Sequence, residues 1–203
     1  MTITYPLIPP STPKPAQVRI FATDTVAVSR SAFTMQQQAQ QHQGMMWGME
    51  ITLPPMNREE ADPWRAFLLA LNGRFGTFRM GDPSARSPRG VATGTPLVNG
   101  ASQTGQSLIT DGWTISVTNI LRAGDYIQVG SYLYVVLNDV NSNGSGQATL
   151  DIWPRLRSSP ADNDPVDPTN TVGLWRLASN DRGWIMEPGI RYSGFVISAV
   201  EAI

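Results

Sequence analysis

The chain has 203 residues, 41% of them hydrophobic and 15% charged, with a formal net charge of -1. That length holds one large or two small domains, and the near-neutral charge argues against a nucleic-acid binder, whose footprint would be basic. With no cysteine, disulfides, zinc-thiolate sites and cysteine nucleophiles are excluded. No run approaches the eighteen apolar residues that a membrane-spanning helix needs, and the N-terminus lacks the basic and apolar regions of a secretory signal. A soluble protein made in the cytoplasm is the expectation. Sixteen prolines and eighteen glycines predict many turns and short strands. The basic residues are fourteen arginines and one lysine, Lys14, an imbalance that fits genome composition before any preference for bidentate contacts.

The first fifteen residues carry Pro6, Pro9, Pro10, Pro13 and Pro15. They read as an extended arm, either a disordered tail or a segment docked on a neighbouring subunit. Strands are expected over residues 18–28, 33–40 and 47–53. In the last, Trp47, Met49, Ile51 and Leu53 alternate with Gly48, Glu50 and Thr52, the period of a strand with one buried face. Glutamines 36, 37, 38, 40, 41 and 43 form a neutral amide tract suited to hydrogen bonding with another chain.

A helix follows, over about 58–72. Trp64, Phe67, Leu68 and Leu71 fall on one face, and Asn72-Gly73 provides a stop. Its start has two candidates: a capping box from Asn57 to Glu60, or Asp62 as N-cap with Pro63 at the first helical position. Phe75 and Phe78 are expected to lead into a strand, and Gly81-Asp82-Pro83 into a turn.

Residues 84–107 read as a linker rich in Gly, Ser, Thr and Pro. Beyond it, strands over 113–117, 126–129, 132–137 and 147–153 have the spacing of a small barrel or sandwich. A second linker is expected over 158–170, and strands over 172–177, 184–186 and 191–200 end the chain. Linkers at both borders suggest a discontinuous first domain, residues 1–85 and 170–203, holding an inserted β domain of residues 86–169.

Chemistry is sparse. The lone histidine, His42, lies among amides and no nucleophile elbow accompanies it, so a solvated or interface role is expected. Asp139, Asn141, Asn143 and Gly144 match the opening of a calcium loop, but Leu150 stands where the bidentate glutamate belongs; a turn is the preferred reading. Asp162, Asp164 and Asp167 read as a solvated linker. The five glutamates include no pair marked for glycosidase chemistry. Of the six tryptophans, at least four are expected in cores. Trp153 at a strand end, with Arg155 and Arg157 beside it, is the candidate ligand or subunit contact. No catalytic residue, metal or cofactor is predicted.

The helix-strand segment PWRAFLLALNGRFGTFRMGDP and the later GDYIQVGSYLYVVLNDVNSNGSGQATLDIWPRLR resemble tail proteins of long-tailed bacteriophages. In length and layout the chain is most similar to distal tail proteins, which join the tail tube to the tip or baseplate. The resemblance implies a mainly β protein: a tail-tube-like β-sandwich or barrel with one packed α-helix, plus an inserted small β-barrel. It also implies a homo-oligomeric ring, a hexamer in that family, with other phage tail proteins as partners. The location would be the virion tail, after synthesis in the bacterial host cytoplasm, and the protein would not be an enzyme. The alternative is a carbohydrate- or receptor-binding module that meets a host surface glycan through exposed tryptophans.

Overall fold

The computed structural model describes residues 3–188 and 191–203. It is mainly β, 43% strand and 7% helix, and one of its sheets nearly closes into a barrel.

The first strands are β1 (Gln17–Arg30) and β2 (Gln37–Thr52). They form one long antiparallel hairpin, with a register shift between Asp24 and Val26. The strand expected over 33–40 is displaced. Residues 31–36 are the hairpin turn, where the Ser31 hydroxyl accepts the Phe33 and Thr34 amides and the Ser31 amide donates to the Gln36 carbonyl. That local bonding favours turn over strand, and the amide tract joins the Trp47 segment in a single sixteen-residue strand.

Helix α1 (Arg58–Ala70) opens on the capping box: Asn57 accepts the Glu60 amide and Glu60 accepts the Asn57 amide. Pro63 therefore lies inside the helix. At this sixth helical position it withholds a donor from the Glu59 carbonyl, a cost that the first turn would not have carried. The chain leaves the helix through Asn72 and Gly73, both at positive φ. Trp64, Phe67, Leu68 and Leu71 are buried.

The remaining strands of this sheet are β3 (Thr77–Met80), and two strands near the C-terminus, which number as β10 (Gly173–Leu177) and β13 (Val196–Glu201). Phe75 precedes β3 and is exposed, its ring edge-on to Tyr5; only Phe78 enters the core. The sheet order is β1-β2-β13-β10-β3, every pairing antiparallel. Between β10 and β13 lies the small hairpin of β11 (Ile185–Glu187) and β12 (Arg191–Ser193). The expected strand over 191–200 thus splits in two, at Gly194 with its positive φ.

The second sheet is built from residues between β3 and β10. Its strands are β4 (Gly94–Val98), β5 (Ser107–Trp113), β6 (Tyr126–Val129), β7 (Tyr132–Val136), β8 (Ala148–Trp153) and β9 (Val166–Asp167). The order is β4-β5-β8-β7-β6-β9, and a Leu97–Pro165 bridge brings the two edge strands together. Both expected linkers contribute strands: Val98 and Val166 are buried in the core of this sheet, and Leu97 makes the bridge that nearly closes it. The expected strand at 113–117 ends instead at Trp113, where the chain turns through Ser116 at positive φ. Buried Asp125 anchors the entrance by accepting the Arg89, Gly90 and Arg122 amides.

Two kinds of substitution in and around α1 should separate by size. Asn57→Ala should cost about 1 kcal/mol, the usual loss for an N-cap. Phe67→Ala should cost roughly 3–5 kcal/mol, as for other buried aromatics. Urea unfolding with unchanged m-values would check both.

Candidate functional site: a seam between two sheets and a projecting ribbon

Two regions stand out once side chains are placed. The first is the seam between the two sheets. Leu133 of β7 is buried in the core of the first sheet, and Tyr126, Val135 and Trp153 pack against that same core. The indole of Trp47 donates to the Leu133 carbonyl at 2.9 Å. Trp153 stands edge-on to Trp47 with ring centroids 4.4 Å apart, and its own N–H donates to Asp24 at 3.0 Å.

At the centre of the seam is a buried ion pair. Arg157 Nε donates to Glu201 Oε1 at 3.0 Å, and Nη2 donates to Oε2. The two side chains are 7% and 4% exposed. Glu201 Oε2 also accepts the Trp47 amide, so one carboxylate joins β2, β13 and the segment that follows β8. The Arg157 amide donates in turn to the Tyr134 hydroxyl. Burial pushes the Tyr134 phenol up to about 12, outweighing the opposing effect of Arg157.

Trp153 and Arg157 are therefore engaged inside the molecule, while Arg155 lies between them, half-buried. Four tryptophans (47, 64, 113 and 175) are buried. Three of these spend their N–H on internal acceptors: Leu133 O, Thr110 Oγ1 and Met80 O respectively for 47, 113 and 175.

The acidic motifs resolve into turn chemistry. Asp139 accepts the Ala123 amide, Asn141 the Asn119 amide, and Asn143 the Ser145 and Gln147 amides. Oxygens spent on backbone donors this way close the loop as a turn. Asp162 and Asp164 likewise accept the Gly100 and Ala161 amides. Among the described residues, no three histidines or carboxylates converge as a metal site.

A cleft of about 560 Å³ lies between the N-terminal arm and the body, lined by residues including Pro10, Lys14, Met80, Asp82, Arg86 and Val172. Its walls are mainly apolar, with one carboxylate and two cationic groups.

The second region is the outer half of the β1–β2 hairpin. Residues 22–30 and 32–44 are exposed on both faces, so this two-stranded ribbon extends from the core by roughly 30 Å, about 3.3 Å per residue. Within it only Asp24 and Arg30 carry full charge, and the amide tract and His42 all lie on it. The ordered turn at its tip holds Phe33 97% exposed. Sequence reasoning found the amides but missed the ribbon, whose one signal was the near-absence of apolar residues over 36–44.

No family model matches the chain, and no curated protein matches it.

The ion pair yields a sharp expectation. Arg157→Ala strands a buried carboxylate and should cost roughly 3–5 kcal/mol, whereas Arg157→Met with Glu201→Leu should recover most of that loss. Thermal unfolding of the single and double variants would show whether the loss is recovered.

Tyr134 gives a pH dependence. Its folded-state value lies above the ordinary 10.0, so the unfolded chain releases this proton first. Stability is then lost as pH rises from about 10 to about 12 and is unaffected by this group below that window. Tyr134→Phe should flatten that part of a stability-versus-pH curve.

Proposed function

We propose that this protein is a structural component of a phage tail tip, a distal-tail-type protein that acts by assembling into a ring and not by catalysis. The observation that carries the reading is the ribbon. An isolated two-stranded hairpin is at best marginally stable in water, and here its outer half has no core of its own. It becomes explicable if neighbours complete it.

Its edges support that. β1 occupies the end of its sheet, and among the described residues no strand pairs with its outer edge. β2 pairs with β13 only from Gly48 to Thr52, leaving its outer half open on the side away from β1. Pairing the open edge of β1 in one copy with that of β2 in the next makes a heterologous contact, and such contacts close into rings when the rotation permits. Neutral amides allow strands to approach without charge repulsion, and Phe33 adds a large apolar anchor at the tip. Sixfold stoichiometry, tail-protein neighbours and a virion location follow from the sequence resemblance. The barrel-like sheet, fixed through the seam, would face outward from such a ring.

Val26 and Val28 are 49% and 61% exposed on the ribbon, so replacing both with lysine should leave folding within about 0.5 kcal/mol of wild type. Light-scattering mass and negative-stain images of the full chain should show rings for wild type and monomers for the double variant. Wild-type monomers persisting at high concentration and with tail partners present would refute the reading.

A further inference from the structure

The N-terminal arm does something at the other end of the first sheet. β3 is the strand opposite β1 in that sheet, and Leu7 lies beside it in a parallel bridge to Phe78. The Leu7 amide donates to the Thr77 carbonyl at 2.8 Å, and the Leu7 carbonyl accepts the Arg79 amide at 3.0 Å. Tyr5 holds the segment down: its hydroxyl donates to the Ala70 carbonyl at 2.7 Å and accepts from the Asn72 side chain, and its ring meets Phe75 edge-on.

A single rung of this kind is too short to be a strand, but it is well made to be a stopper. Leu7 spends both its backbone groups on β3. The neighbouring positions that face away are Pro6, which has no N–H, and Ile8, followed by Pro9 and Pro10. Proline cannot donate to a ladder, so from Pro6 to Pro10 the outer side of the arm offers a further strand one donor, the Ile8 amide. Edge strands left uncovered are templates for pairing with another chain.

We infer that the edge of β3 is a strand-acceptor site which the Tyr5–Leu7 segment closes in cis, and that the partner it excludes is β1 of a second copy. The topology selects that partner. Five strands joined by antiparallel pairings place β1 and β3 at opposite ends, running in the same direction. A second copy related by translation therefore presents its β1 parallel to β3, which is the sense in which Leu7 is bridged. Nothing in that contact closes on itself: each added copy exposes a new β3 edge, and growth is open-ended. The arm thus removes the β3 edge from association and leaves the edges of the β1–β2 ribbon as the ones open to other copies. This inference goes beyond the ring reading and does not rest on it.

The test uses the full chain carrying Leu7→Pro, which removes the N–H given to Thr77, with Leu7→Ala as the control that keeps the backbone bonds. Two readouts are needed. Amide exchange at Arg79, whose donor bond ends on Leu7, reports release of the arm and should speed up on the order of tenfold or more in Leu7→Pro. Sedimentation velocity and electron microscopy should then show unbranched, growing assemblies in place of a discrete species. A synthetic peptide spanning residues 3–13 should suppress them, and Leu7→Ala should behave as wild type.

If Leu7→Pro does not fold, Tyr5→Phe releases the arm more gently by deleting the bond to Ala70, and the same criteria apply. A folded variant with fast exchange at Arg79 and an unchanged mass distribution would overturn the inference, as would assemblies indifferent to the peptide. Monomeric wild type, by contrast, would sink the ring reading alone.

Discussion

The carboxylate of Glu201 is the point on which the arrangement of the two sheets depends. It is buried near the end of β13, where it accepts the Trp47 amide and pairs with Arg157. Burying two charges is expensive, and attraction repays the cost only when the remaining lone pairs are satisfied. Here three donors, two from a guanidinium and one from the backbone, converge on two oxygens. Trp47, whose amide the carboxylate accepts, also meets the rings of Trp153 and Tyr126, so the ion pair and the aromatic contacts are joined through one residue. The barrel-like sheet is consequently held against its host by a core contact as well as by two chain crossings.

Those crossings are tight in their own right. Gly81, on the way out to the second sheet, lies against Thr171 on the way back, and a β-carbon at Gly81 would collide with the Thr171 carbonyl. The residue type is therefore fixed by the approach of two backbones rather than by a turn. Arg86 and Asn170 continue the contact, the Asn170 amide donating to the Arg86 carbonyl.

Much of this architecture was legible in the sequence. The capping box, the four-residue apolar face of α1 and the alternation from Trp47 to Leu53 are strong local patterns, and each is realised. What the sequence hid was set by long-range partners. The strands at 94–98 and 166–167 look like linker because glycine and proline dominate their surroundings; they become strands only by closing the barrel-like sheet. Trp153 and Arg157 read as exposed because a strand end beside proline ordinarily is. Their partners, Trp47, Asp24 and Glu201, lie 106, 129 and 44 residues away (153 − 47 for the first), beyond the reach of any local pattern. The arm's place against β3 was equally invisible, since one Leu7 rung and one tyrosine hydroxyl leave no periodic trace.

The bond from Trp153 to Asp24 has a mechanical meaning. Asp24 stands where the β1–β2 hairpin leaves the core, immediately before its register shift. Trp153 belongs to the barrel-like sheet, at the end of β8. The root of the cantilever is thus clamped by the other sheet, and tilting one body applies a torque to the other. Load arriving at the barrel would be felt as a change of angle at the hairpin's root, with the indole as the pivot.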